Sequence, residues 1–337
     1  MIDLSRFGGS IANPYAVATG VRGFSELTFD SNVGGEVLHV RKFQTLIQAL
    51  GYFKYVLCTS VHKNFKIYFR GQEKAFGAIY QPSLYRSCTR DGALMDRDGR
   101  INRQIALARS CCKWFETAND AVIEGVLQQY GMRTRWIDAV DNIWIALWFA
   151  CHHAWTWNGG DSEYIHYAVR SPAQEGAGPH YGYIYVLGFN SGYADASKKV
   201  RRKFIPGMAW SDSAEMLDLR YAVPSLFIRP HAQHGVLLRS FKRLTDGGVR
   251  FNSDMSDLVQ GVIRFDLEDG IEWLGQGVSV EVSSVFPPPA YDPGYGDLLR
   301  AERGMRDTYL GKRVELKGYK KEFKVSQEDT LQVQKMS

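Results

Sequence analysis

Apolar residues along the chain recur in two rhythms, and the alternation between them predicts a mixed α+β fold. From Val40 to Leu50 the positions Val40, Phe43, Leu46, Ile47 and Leu50 fall at helical spacing, with Gly51 where a helix stop is expected. Lys66 to Arg70 carries Ile, Tyr and Phe in loose alternation and reads as a strand ending at Gly71, with a turn at the following PSLYRS. The stretch Ile101 to Leu127 reads as one long or two short helices, broken at Gly131. Asn142 is a plausible N-cap for IWIALWFACHHAW, which is apolar nearly all round, as a helix buried on most faces would be. GYIYVLGF (182–189) and SLFIRP (225–230) read as strands bounded by Gly or Pro. VIRFDLEDGIEWLGQGVSVEVSSVFPPP reads as strand, short helix, strand and a proline stop. With no clear linker, the expectation is an irregular arm or late-packing first strand over 1–35, a single α+β domain over 36–300, and a polar, Lys-rich extension over 301–337. The domain would pack central helices on a mostly antiparallel sheet.

Composition narrows the function classes. A chain of 337 residues, 45% hydrophobic and 23% charged, has ample material for a core. Its longest apolar run, at Ile143–Ala150, is far below the ~20 residues of a membrane span. The first twenty residues carry no secretory pattern, so the expected compartment is the cytoplasm. Five cysteines without a CxxC pair argue against a disulfide framework and a structural zinc site. A formal charge of +5 permits an anionic partner and demands none. No Walker loop and no GxGxxG after a strand is present, which argues against a kinase, an ATPase or a Rossmann dehydrogenase.

Four stretches set polar groups beside apolar elements: Tyr68-Phe69-Arg70-Gly71-Gln72, Pro82-Ser83-Leu84-Tyr85-Arg86, the segment from Leu127 to Asp138 (LQQYGMRTRWID), and Arg229-Pro230-His231-Ala232-Gln233-His234-Gly235. An arginine at the end of an aromatic strand must meet a carboxylate, carbonyls or a bound anion, because burial without a partner is costly. The bland alternative is an internal ion pair of Arg70 with Asp138, which spacing does not separate from anion binding. In their order, FRGQ, PSLYR, QQYGMRTRWID followed by N-x-x-x-A-L-x-F-A, and AQHG resemble the FRG domain family. Thr134, Arg135 and Asp138 fall on that family's T-R-L-L-D positions, with Trp136 and Ile137 in place of the leucines. Met132-Arg133 stands for a usual Leu-Pro, and Ala139-Val140 for a Trp-Thr.

A strand ending in Tyr-Phe-Arg-Gly also resembles the first motif of the ADP-ribosyltransferases. That resemblance implies an ADP-ribosyltransferase-like fold and NAD as substrate, without a metal. It implies Arg70, Thr134, Asp138 and Gln233 as catalytic residues, and Arg70, Gly71, Gln72, Ser83, Arg86, Tyr130 and Arg135 as the NAD-binding set. The chain would act as a toxin or effector of a bacterial or phage conflict system, modifying a protein or nucleic acid, with an antitoxin as a further partner. Because a glutamine supplies no charge, Asp138 is the preferred carboxylate, ahead of Glu272 and Glu281. A nucleotide sensor or adaptor without catalysis is the first rival. The second is nucleic-acid binding by Lys198, Lys199, Arg201, Arg202 and Lys203, followed by Phe204 and Trp210. Metal binding by Cys151-His152-His153 with His166, or by His231 and His234, and a nucleophile at Cys111 or Cys112 are weaker readings.

Overall fold

The computed structural model describes residues 25–298 except 61–63, 76–78, 87, 89–90, 160–161, 172–178, 192–203, 246–247, 276–279, 289–290 and 296. Its first elements are β1 (Ser25–Asp30), β2 (Gly35–Val40), α1 (Phe43–Ser60), β3 (Phe65–Gln72), α2 (Asp91–Cys111) and α3 (Asp120–Gln129). Then follow β4 (Ile137–Val140), α4 (Ile143–Cys151), β5 (His152–Gly159), β6 (Ser162–Val169) and β7 (Tyr181–Asn190). Next come β8 (Met208–Trp210), β9 (Ala214–Asp218), α5 (Leu219–Ala222), α6 (Ile228–Ala232), β10 (Gly235–Arg243) and β11 (Val249–Phe251). The last are β12 (Val259–Asp266), α7 (Leu267–Trp273) and α8 (Val282–Val285).

One large sheet runs β1-β2-β12-β7-β3-β4-β10-β9-β8, with β11 paired to β10, and β5-β6 form a separate hairpin. Every pairing is antiparallel except β2 with β12. The chain is therefore mixed α+β, with helices on a large, mostly antiparallel sheet. The expected arm contributes β1, whereas residues 1–24 and the extension 301–337 lie outside the described residues.

Side-chain alternation divides the core. Ile67 and Phe69 of β3 pack with Leu46, Phe53, Ala146 and Trp148 of α1 and α4, while Tyr68 packs on the other face with Tyr185 and Ile137. A third cluster joins α2 and α3 to Trp136, Phe227 and Leu237. α4 begins where expected: the Asn142 side chain accepts from the Trp144 amide at 2.9 Å. It ends at Cys151 rather than continuing through the histidines, because Arg170 donates to the Ala150 carbonyl at 2.9 Å and its own amide takes the Cys151 carbonyl. α1 runs through Gly51 to Ser60, its inner stripe continuing at Phe53 and Leu57.

Two expected strands are helical turns. SLFIRP yields α6, since Pro230 sits in the first turn, where its missing N–H is no loss. The free amides of Ile228 and Arg229 are taken by the Asp292 carboxylate. The alternating VSVEVSSV yields α8, which buries Val285 alone among its residues. Among the described residues no helix is long and apolar enough to cross a membrane.

Candidate functional site

β3 and β4 share a single register pair, Phe69 with Val140. Beyond it the two strands part, and the Arg70 guanidinium bridges them by donating to the Asp138 carbonyl at 2.9 Å and its carboxylate at 3.4 Å. A cleft of about 350 Å³ opens there, within the range of small-molecule sites. Alternation on β3 brings Arg70 and Gln72 to it, and Tyr185, opposite Arg70 on β7, also lines it. Ser83 and Arg86 enter from the 82–86 turn, and Ile79 and Tyr80 from the segment before it. Tyr80 is stacked on Tyr185 with ring centroids 4.9 Å apart. Its backbone is fixed by Ser256 Oγ at 3.1 Å and by the Met255 amide at 2.8 Å.

The cleft is electropositive. Among the described residues Asp138 is the one carboxylate in its lining, against Arg70 and Arg86. Its side chain is 47% exposed, so the pair is not sealed from solvent, while Arg70 is 18% exposed. The second Asp138 oxygen accepts from Gln129 Nε2 at 3.1 Å. Burial pulls the Arg70 guanidinium down, but Tyr80 and Asp138 outweigh it and hold it above its ordinary value. Burial and the neighbouring Arg70 push Arg86 down to about 10, still a cation at neutral pH. An anion laid against both arginines would relieve that repulsion. Four solvent-shielded polar atoms without a partner, Arg70 Nε, Gln72 Oε1, Tyr80 Oη and Trp136 Nε1, belong to residues of this lining.

Of the expected residues, Arg70, Gln72, Ser83, Arg86 and Asp138 converge on the cleft. The others serve the scaffold. Gly71 faces α4, where a Cβ would stand 1.7 Å from the Ala146 carbonyl oxygen. Thr134 is fully buried, and its hydroxyl meets the Gln128 side chain and accepts from the Trp136 amide. Gln233 is buried and donates to the Val285 carbonyl at 3.0 Å, tying α8 to the end of α6. Arg135 is engaged by Glu124, which is fully buried. Tyr130 donates to Asp292 at 2.6 Å and packs beside the Arg229 guanidinium. Tyr130→Phe is accordingly expected to lower stability by about 1.5–3 kcal/mol in urea denaturation, leaving cleft affinity within twofold.

Tyr80 and Tyr185 line the cleft from outside the four stretches, and Gln128 and Trp136 line it from within one of them without a site role expected for either. The signal of the three aromatics was hidden, since aromatics beside apolar residues read as core. Helix α3 ends in paired turns, Gly131 N to Gln128 O and Met132 N to Leu127 O, with Gly131 at φ 100°. That stop sets Gln128 in the cleft lining and Gln129 against Asp138.

The rival sets disperse. His234 pairs with Asp141 at 3.4 Å and His153 with Glu73, and among the described residues no group of three or more His, Cys, Asp or Glu could hold a metal ion. Burial pushes the Cys151 thiol up to about 12, far from a thiolate, and Cys112 is buried in a helical core. The basic run 198–203 lies outside the described residues. No family model, curated protein or solved structure matches the chain.

Proposed function

We propose that the β3–β4 cleft binds NAD or a related nucleotide and transfers ADP-ribose from it. The observation that carries this reading is the convergence of Arg70 and Arg86 with one half-exposed carboxylate, Asp138, in a single cleft. Two guanidinium groups suit a diphosphate, which accepts several charge-assisted hydrogen bonds at once. In the transfer, the bond from ribose C1′ to the nicotinamide nitrogen breaks with its electron pair going to nicotinamide. Positive charge develops at C1′, an acceptor nucleophile attacks it, and the acceptor's proton is released to solvent. Asp138 stabilises the cationic centre by charge. The acceptor is a protein or nucleic acid, and the setting a toxin or effector of a conflict system. The likeness of the Tyr-Phe-Arg-Gly strand to ADP-ribosyltransferases supports the reaction class, with Thr134 and Gln233 removed from its reacting residues.

A second reading, a nucleotide sensor without chemistry, is favoured by one observation. Both Asp138 oxygens are already engaged, by Arg70 and by Gln129. Incubating the purified full chain with NAD, with and without cell extract, separates the two. Nicotinamide release is expected to fall about 100-fold in Asp138→Asn with NAD affinity held within a few-fold. Arg70→Ala is expected to weaken NAD binding about 100-fold, roughly 2.7 kcal/mol, as loss of a partly buried charged contact does. NAD binding with no release under any condition favours the sensor; folded protein that binds no NAD overturns both.

A further inference from the structure

Arg70, Gln72 and Tyr80 line the cleft, and each has a shielded polar atom, Arg70 Nε, Gln72 Oε1 and Tyr80 Oη, without a hydrogen-bond partner among the described residues. Arg70 and Gln72 share a face of β3, with about 7 Å of strand between their Cα atoms. Gln72 is 7% and Tyr80 8% exposed, so bulk water does not stand in for a partner. Tyr80 is held from several sides. Its amide donates to Asp254 Oδ1 at 3.3 Å and Ser256 Oγ at 3.1 Å, its carbonyl takes the Met255 amide, and its ring lies on Tyr185. Such anchoring fixes the ring and leaves the hydroxyl unused. Burial pushes that hydroxyl up to about 12, so it keeps its proton and can donate.

The three atoms ask for different things. A phosphate only accepts, so it satisfies Arg70 Nε or Tyr80 Oη and leaves the Gln72 oxygen facing another lone pair. That oxygen needs a donor on the ligand, and leaving it unpaired in a shielded site is costly. NAD carries donors on its ribose hydroxyls, on the adenine amino group and on the nicotinamide carboxamide. A cleft of about 350 Å³ is near the lower end for a ligand site and takes one half of a dinucleotide. Asp138, which acts on C1′, is in that lining and touches Arg70, so the half it takes is the nicotinamide riboside. Gln72 stands two residues farther along β3, in reach of the substituent on the ring rather than of the ribose. The terminal torsion of a glutamine is soft, so a small turn brings its oxygen to the ligand.

We infer that Gln72 and Tyr80 recognise the nicotinamide carboxamide, Gln72 accepting from its N–H and Tyr80 donating to its carbonyl, so that the cleft selects a pyridinium ring bearing an uncharged amide. This rests on the NAD reading of the cleft and names the part of the ligand that is read. The discrimination comes from the analogue that lacks the donor, which leaves the Gln72 oxygen unpaired beside it.

The test is calorimetric titration of the full chain with NAD, its 3-acetylpyridine analogue and its hypoxanthine analogue, in the native sequence, Gln72→Met, Tyr80→Phe and Arg70→Ala. The acetyl group keeps the carbonyl and puts a methyl in place of the amide nitrogen, whereas hypoxanthine changes only the adenine edge. NAD is expected to bind about tenfold more tightly than the acetylpyridine analogue and within about twofold of the hypoxanthine one. Gln72→Met is expected to bring NAD and the acetylpyridine analogue within about twofold of each other, and Tyr80→Phe to weaken both alike, by about fivefold. Because the Gln72 oxygen has no partner to lose among the described residues, Gln72→Met is expected to melt no lower than the native protein. A clear fall in its melting midpoint marks a scaffold role and overturns the inference. Equal affinity for NAD and the acetylpyridine analogue in the native protein, with both lost in Arg70→Ala, overturns the carboxamide contact and leaves the cleft reading standing. Rejection of the hypoxanthine analogue instead assigns the contact to adenine and overturns it likewise. Failure of all three to bind the folded protein overturns the cleft reading and this inference with it.

Discussion

Gly71→Ala is expected to destabilise the protein by about 3–5 kcal/mol, a large part of the stability of an ordinary domain. An alanine Cβ there would lie 1.7 Å from the Ala146 carbonyl oxygen, 2.7 Å from the Ala146 carbonyl carbon and 2.9 Å from the Ala150 amide nitrogen. All three atoms are backbone, so no rotamer change relieves the overlap; α4 must move away from β3. That helix cannot yield cheaply, because Ala146, Leu147, Trp148, Ala150 and Cys151 are all fully buried. Urea denaturation of Gly71→Ala beside Gly35→Ala is the check. A Cβ at Gly35 meets nothing within 4 Å, so that control should change stability by no more than about 1 kcal/mol. A Gly71→Ala protein as stable as the native one would mean that α4 does not press on β3. The glycine of the F-R-G motif thus serves helix packing and fixes the strand that carries Arg70.

Glu124→Ala is expected to cost a similar 3–5 kcal/mol, through electrostatics instead of overlap. Glu124 is fully buried and accepts from the Arg135 amide at 2.8 Å, from Arg135 Nη2 at 2.7 Å and from Arg239 Nη1 at 3.1 Å. Without it two buried guanidinium groups lose their shared counter-charge, and Glu215 alone remains for Arg239 at 2.6 Å. The loss reaches the cleft, because Arg239 lies 3.9 Å from the ring centroid of Trp136, a lining residue. Thermal unfolding should show the destabilisation. Glu124→Gln, which keeps the hydrogen-bond acceptor and drops the charge, should fall between alanine and the native protein. Equal stability of all three would show that the buried charge is dispensable.

The residues of the motifs divide in a way that spacing reveals only in part. Period two on β3 makes Arg70 and Gln72 share a face and turns Gly71 away, which a reader of FRGQ can deduce. The segment LQQYGMRTRWID leaves its strand and helix for a turn, where no simple period applies. There Asp138 reaches the cleft, while Thr134, Arg135 and Tyr130 hold the wall together. Elements set by local chemistry were readable, as the Asn142 cap and the unbroken apolar run of β7 show. SLFIRP was not, because its first turn is completed by Asp292, more than sixty positions away. Gln233 met the same fate through Val285.

The parallel ladder between β2 and β12 has a bearing on how the molecule is made. Its register pair His39 and Arg264 is 225 positions apart in the chain, and β7, the neighbour of β3, begins only at Tyr181. A nascent chain still short of Val259 therefore leaves open the edges of β2 and β7 that β12 will occupy, while β3 waits for β7 before Arg70 is placed. Such distant pairings make folding slow and late, and expose unpaired edges to aggregation meanwhile. Ribosome-bound fragments ending before β12 should accordingly lack a formed cleft, and any activity it has arrives only after β12 has joined the sheet.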